Sequence, residues 1–132
     1  MVVGDYGAAT GYMLDFFRKL GHRVAGSELT LTYRRMSEHY YGIPLAEKLE
    51  PKHKYDLILC YHVLEHLYKA DEKLAEMVGM LAPGGHLLSE ISERQVAAAT
   101  GAVTRAGLTA RVAASEEHGA TVLIAARPAA RS

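Results

Sequence analysis

The run Tyr55-Asp56-Leu57-Ile58-Leu59-Cys60-Tyr61 constrains the fold more than any other stretch of this chain. Only Asp56 interrupts it with a charge, so the run lacks the alternation of a strand with one wet face. Such a strand is covered on both sides, as at the centre of a parallel sheet with helices above and below. The flanking sequence agrees. Val2 and Val3 open an extended segment that runs into Gly7-Ala8-Ala9-Thr10-Gly11. Met13, Leu14, Phe16, Phe17 and Leu20 then recur at helical spacing, and Gly21 follows as a stop. His22 to Ser27 reads as a second strand, and a polar, tyrosine-rich helix runs from about Thr32 to Tyr41, closed by Gly42 and Pro44. A short third strand precedes Glu47.

Leu74, Met77, Val78 and Leu81 mark a further helix, which Pro83-Gly84-Gly85 ends before a strand from His86 to Ile91. Ser92 and Gln95 have capping-box spacing and open a helix to about Gly107. Thr109 to Ser115 and Thr121 to Ala126 flank Glu117-His118-Gly119 as a hairpin. Strands and helices alternate up to that hairpin. The expected fold is therefore α/β: a Rossmann-like, doubly wound, mostly parallel sheet of about seven strands with a C-terminal antiparallel pair. At 132 residues there is room for one core, so a single domain is expected over residues 1–127, with 128–132 as a tail.

Fifteen basic residues balance fifteen acidic ones, which argues against a dedicated nucleic-acid binder. The chain has neither a secretory leader pattern nor an apolar run long enough to span a membrane. A cytoplasmic location is expected, and the single Cys60, with no partner for a disulfide, fits a reducing compartment.

In doubly wound folds the first strand-to-helix turn lies at the ligand crevice, so residues 5 to 11 are expected to line a site. Small residues at Gly7, Ala9 and Gly11 let backbone approach a ligand, and the following helix start offers free N–H groups to a carboxylate. A turn of this kind also serves purely structural ends. A dinucleotide loop needs G-x-G-x-x-G, which Gly7, Ala9 and Tyr12 do not provide.

Asp5-Tyr6-Gly7-Ala8-Ala9-Thr10-Gly11 resembles the first motif of the class I S-adenosylmethionine-dependent methyltransferases: an acid, any residue, then small residues at alternate positions, with Ala9 in place of a more usual glycine. Glu28 at the end of the second strand, Asp56 to His66, and Leu81 to Leu88 resemble later family motifs in the same order, so the likeness covers nearly the whole chain. The resemblance implies S-adenosyl-L-methionine (SAM) as cofactor and S-adenosyl-L-homocysteine as product. It puts Asp5, Tyr6, Gly7, Ala8, Ala9, Gly11 and Tyr12 around the methionine end, and Glu28 with Leu29 at the ribose. Glu47 falls near the adenine, and Cys60 and Tyr61 wall the cofactor. Glu28 and Glu47 can also be read as exposed surface acids, and Cys60 as a small buried hydrophobe.

Methyl transfer from SAM needs no covalent enzyme nucleophile, only alignment and, for some acceptors, a base. His62 and His66 are the candidates, with Glu65-His66 also readable as a loop cap. His62-Val63-Leu64-Glu65-His66 spells H-x-x-E-H as well, but that zinc signature belongs inside a helix, and here it follows a buried strand; no metal is expected. The mixture of Tyr33, Arg34, Arg35, His39, Tyr40 and Tyr41 is readable either as cover for a planar acceptor or as a solvated amphipathic helix. Family members carry helices before the first strand, whereas here the strand begins almost at Met1. The resemblance therefore implies either a truncated piece or a homo-oligomer or other partner that covers this side, with Phe16 and Phe17 exposed near it. The expected function is methyl transfer to a small-molecule acceptor; the alternative is a non-catalytic SAM-binding module or subunit of a larger methyltransferase.

Overall fold

The computed structural model describes residues 1–50, 54–61 and 70–129. The elements run β1 (Val2–Tyr6), α1 (Tyr12–Lys19), β2 (Arg23–Ser27), α2 (Leu31–Tyr41), β3 (Tyr55–Leu59), α3 (Ala70–Met80), β4 (Leu81–Ile91), α4 (Val96–Arg105), β5 (Thr109–Ser115) and β6 (Ala120–Ala126). They form one six-stranded sheet in the order β2-β1-β3-β4-β6-β5. β2, β1, β3 and β4 are mutually parallel, whereas β6 runs antiparallel to both β4 and β5.

The expected third strand is one residue long. Ala46 donates its N–H to Gly26 O at 3.1 Å and accepts from Glu28 N–H at 2.8 Å, a single bridge beside Ser27. Two residues earlier, on the same edge, Pro44 has no N–H to donate, so the ladder cannot extend. Among the described residues the sheet therefore has six strands, against the expected seven or so. β4 also begins earlier than the glycine signals imply: Leu81 pairs with Tyr55, the register shifts across Pro83-Gly84-Gly85, and pairing resumes at His86–Leu57.

β3 is buried on both faces, as its apolar run requires. Val3, Leu14, Ile43, Leu57 and Leu59 form the core on the α1 side, and Tyr55, Ile58, Cys60, Met77, Leu87 and Leu123 form the larger core on the other. The Tyr55 ring lies across β1 at Gly4, where a Cβ would come within 2.9 Å of it. Among the described residues no helix is long and apolar enough to cross a membrane.

Candidate active site

The strand order reverses at β1, where the chain passes outward through α1 to β2 and later returns to β3 on the other side. The carboxyl ends of β1 and β3 flank the crevice at which open α/β sheets take ligands. Asp5 and Tyr6 end β1 there, Cys60 and Tyr61 follow β3, and Glu28 follows β2.

The loop after β1 folds back on β2: Gly7 and Ala8 donate their N–H groups to Ser27 O at 3.0 and 2.8 Å. Gly7, Ala9 and Gly11 have φ of 85°, 51° and 85°. The alternate small residues of the sequence thus answer an alternation of left-handed backbone. Ala9 adopts that conformation with a Cβ, which costs about 1–2 kcal/mol. Gly11 is the N-cap of α1 and also the point where α2 docks: a Cβ there would strike the Ser37 hydroxyl and lie 3.1 Å from Ser37 Cβ. Ser37 is fully buried and its Oγ donates to Ile43 O at 2.8 Å.

Glu28 is held by backbone. Oε1 accepts the Ala9 N–H and Oε2 the Thr30 N–H, both at 2.9 Å, so one carboxylate joins the glycine loop to the start of α2. Each oxygen retains a second acceptor site. Arg34 reinforces this corner from below, donating Nη1 to the carbonyls of Glu28 at 2.8 Å and Leu29 at 2.9 Å.

Asp5 is the anomalous group. Its side chain is in a residue only 5% exposed, and among the described residues its carboxyl makes no hydrogen bond. Burial, reinforced by the charge of Glu28, pushes its pKa up to about 7. Cys60 beside it is buried too, and burial, followed by the charge of Asp5, pushes its thiol up to about 12, so it is not a nucleophile at neutral pH. Ser89 Oγ donates to Cys60 O at 2.7 Å and pins the end of β3. Burial raises the pKa of Tyr61, with Glu90 and Asp5 adding to it; burial also raises that of Tyr6, which turns toward Lys73 and Glu76 of α3.

The other anticipated residues sit less centrally. Ala8 is buried in the α1-side core, Tyr12 and Leu29 are 60% and 79% exposed, and the Glu47 carboxylate is well exposed, 3.8 Å from Arg34 Nη2. His62 and His66, together with Glu65, lie outside the described residues. Of the aromatic and basic residues of α2, Arg34 is folded against the end of β2, while Tyr33 and Tyr40 are exposed. Sequence reasoning missed the positioning roles of Arg34, Ser37 and Ser89, because each acts through a backbone carbonyl and leaves no spacing pattern.

Comparison with known proteins decides the family. A family model described as a methyltransferase domain matches residues 2–123. The chain belongs to the class I methyltransferase family. Within it, the chain is 24% identical to the ubiquinone biosynthesis O-methyltransferase of Rhodopseudomonas palustris over 61% of its own length and 35% of that protein, so the match spans about a third of the curated relative. Methyltransferases of known structure share the fold at low identity. A chain of the Haloferax volcanii complex between the Trm112 methyltransferase activator and its methyltransferase superposes with a TM-score of 0.84 at 15% identity, covering 96% of this chain and 82% of that one. The magnesium protoporphyrin IX methyltransferase of Synechocystis PCC 6803, solved with bound SAM, gives 0.78 at 16% identity, covering 95% and 69%. Residues 5 to 11, which resemble a family motif in sequence, form the loop whose backbone alternation is described above.

Proposed function

We propose that this chain binds S-adenosylmethionine in the crevice between β1 and β3 and transfers its methyl group to a small-molecule acceptor. The observation that carries the reading is the Asp5 carboxyl, buried at the end of β1 without a hydrogen bond among the described residues. A buried carboxyl in that state is costly until a cation or donor meets it. An amino-acid ammonium or a sulfonium nearby answers that need, and fits the residues present.

The cofactor supplies a methyl group already activated on sulfur. Glu28 offers its remaining lone pairs to a vicinal diol while its other contacts fix the loop. Tyr61 and the walls of Cys60 exclude water from one side. His62 is our choice of base for acceptors that lose a proton, and Glu65-His66 our choice of loop cap. The small-molecule acceptor is supported by the likeness to an O-methyltransferase of ubiquinone biosynthesis. The reading includes a cytoplasmic location.

A second reading, a SAM-binding module or subunit of a larger methyltransferase, is favoured by one observation. Tyr12 and Phe16 of α1 are 60% and 55% exposed, an apolar surface on the helix that leaves the crevice, whereas Phe17, expected to share it, packs against the α1-side core.

The test is calorimetric and thermal. SAM or S-adenosylhomocysteine at 100 times its Kd should stabilise the fold by about 2.7 kcal/mol, and NAD and ATP should not. No shift with either sulfur nucleoside would end the proposal. Transfer of labelled methyl to small molecules of a cell extract separates the enzyme from the module.

A further inference from the structure

The two edges of the sheet are managed differently. β2 is partly buried and closed at Ser27 by the bridge to Ala46. β5 is exposed at five of its seven residues, and its neighbours are β6 on one side and α4 on one face. Its sequence, Thr-Ala-Arg-Val-Ala-Ala-Ser, contains none of the devices that blunt an edge: no proline, no bulge in an unbroken seven-residue register with β6, and one charge. Such an edge is a template for another strand.

The backbone groups that face outward follow from the ladder. Arg127 donates its N–H to Gly85 on the β4 side at 2.9 Å, so Ala126, one residue back, faces β5, where it is paired with Thr109. Thr109, Arg111, Ala113 and Ser115 therefore bond to β6, and Ala110, Val112 and Ala114 present their N–H and C=O groups to solvent.

We propose that β5 is a self-pairing edge, on which a second copy of this chain adds its own β5 antiparallel about a two-fold axis at Val112, joining the two sheets into one. The sequence is self-complementary in that register. Val112 meets Val112 of the other copy and Ala110 meets Ala114, so all the outward groups of the three residues find partners at once. On the opposite face Arg111 falls opposite Ala113, and no like charges are directly opposed. The ends are compatible too. Glu116 and Glu117 extend beyond Ser115 at one end of β5. Antiparallel pairing keeps the acidic turns of the two copies at opposite ends of the joined strands, whereas a parallel pairing sets acid beside acid. The inference does not rest on the proposed activity.

Light scattering across the micromolar range tests it on the full chain. The expected result is a dimer in concentration-dependent equilibrium with monomer. Ala113→Arg, which sets two guanidinium groups opposite each other at each end of the pair, should weaken dimerisation by at least about tenfold, since like charges directly opposed destabilise a pair. Arg111→Glu alone should still dimerise, and mixing it with Ala113→Arg should restore association as a mixed dimer. Val112→Cys should form a disulfide-linked dimer on mild oxidation, because the axis brings the two positions together. A monomer at all concentrations, or a dimer unaffected by Ala113→Arg and not trapped by Val112→Cys, overturns the proposal.

Discussion

Ser37 of α2 fills the space that a side chain on Gly11 of α1 would need. The contact fixes the start of α1, and with it the loop from Gly7, against α2 through a buried hydroxyl. Gly11→Ala should therefore destabilise the fold by roughly 2–4 kcal/mol, combining the cost of a left-handed non-glycine residue with that of overpacking. Ser37→Gly alone bears the loss of its bond to Ile43 and of helix propensity, and on that background Gly11→Ala should cost only the backbone share. Urea denaturation of the two single variants and the double variant checks both parts; an equal cost of Gly11→Ala on the two backgrounds would show that the contact is slack.

Ala9 is the converse case, a side chain where the backbone favours none. Its φ of 51° is relieved in Ala9→Gly, while the extra freedom of glycine in the unfolded chain offsets part of the gain. The net expectation is a stabilisation of about 0.5–1 kcal/mol, with the Ala9 N–H contact to Glu28 retained. A loss of stability in the same melt would mean that the loop is not strained.

Asp5 ties stability to pH. Its pKa rises from the ordinary 3.8 to about 7 in the folded chain. Between those values the folded state keeps a proton that the unfolded state has lost, so this group's contribution falls as pH rises from about 4 to 7, is absent as a penalty below that window, and is fully felt above it. Asp5→Asn should thus leave stability unchanged near pH 4 and raise it by roughly 3–4 kcal/mol above pH 7. SAM binding should run the other way: affinity of the natural chain increases by up to tenfold per pH unit toward pH 7, with proton release. Calorimetry in buffers of differing ionisation enthalpy reads that proton directly.

Glu28 has two tasks that a pair of substitutions separates. Glu28→Ala removes acceptors for Ala9 and Thr30 and the proposed diol contact, and should weaken SAM by roughly 1.5–3 kcal/mol. Glu28→Gln keeps one acceptor oxygen and should restore part of the stability but less of the affinity. Identical affinity in all three proteins would place the diol elsewhere.

Much of this was legible because the chain's strongest signals are local. The unbroken apolar run of β3 required two covered faces, the Ser92–Gln95 spacing delivered a real side-chain contact, with Gln95 Oε1 accepting the Ser92 N–H at 3.0 Å, and Gly21, Gly42 and Gly107 ended their helices with positive φ. What escaped was set by distant pairing. Pro83-Gly84-Gly85 carries ordinary turn residues, yet it lies within β4 because Leu81 is already bonded to β3 and Arg127 holds Gly85. The third strand failed on one missing N–H, at Pro44. In the site, the loop and Glu28 were visible as types and spacings, but the isolation of Asp5 depends on what surrounds it in three dimensions.

The position of β6 has a bearing on how the chain matures. Of the six strands it is the last in chain order, yet it lies inside the sheet, between β4 and β5, and brings Leu123 and Ala125 to the larger core. Until β6 emerges from the ribosome, β4 has an open edge and β5 has no partner in the sheet, so folding of this half waits on β6 while the β1–β2–β3 half can already assemble. Nascent chains released before β6 should be the ones that chaperones retain.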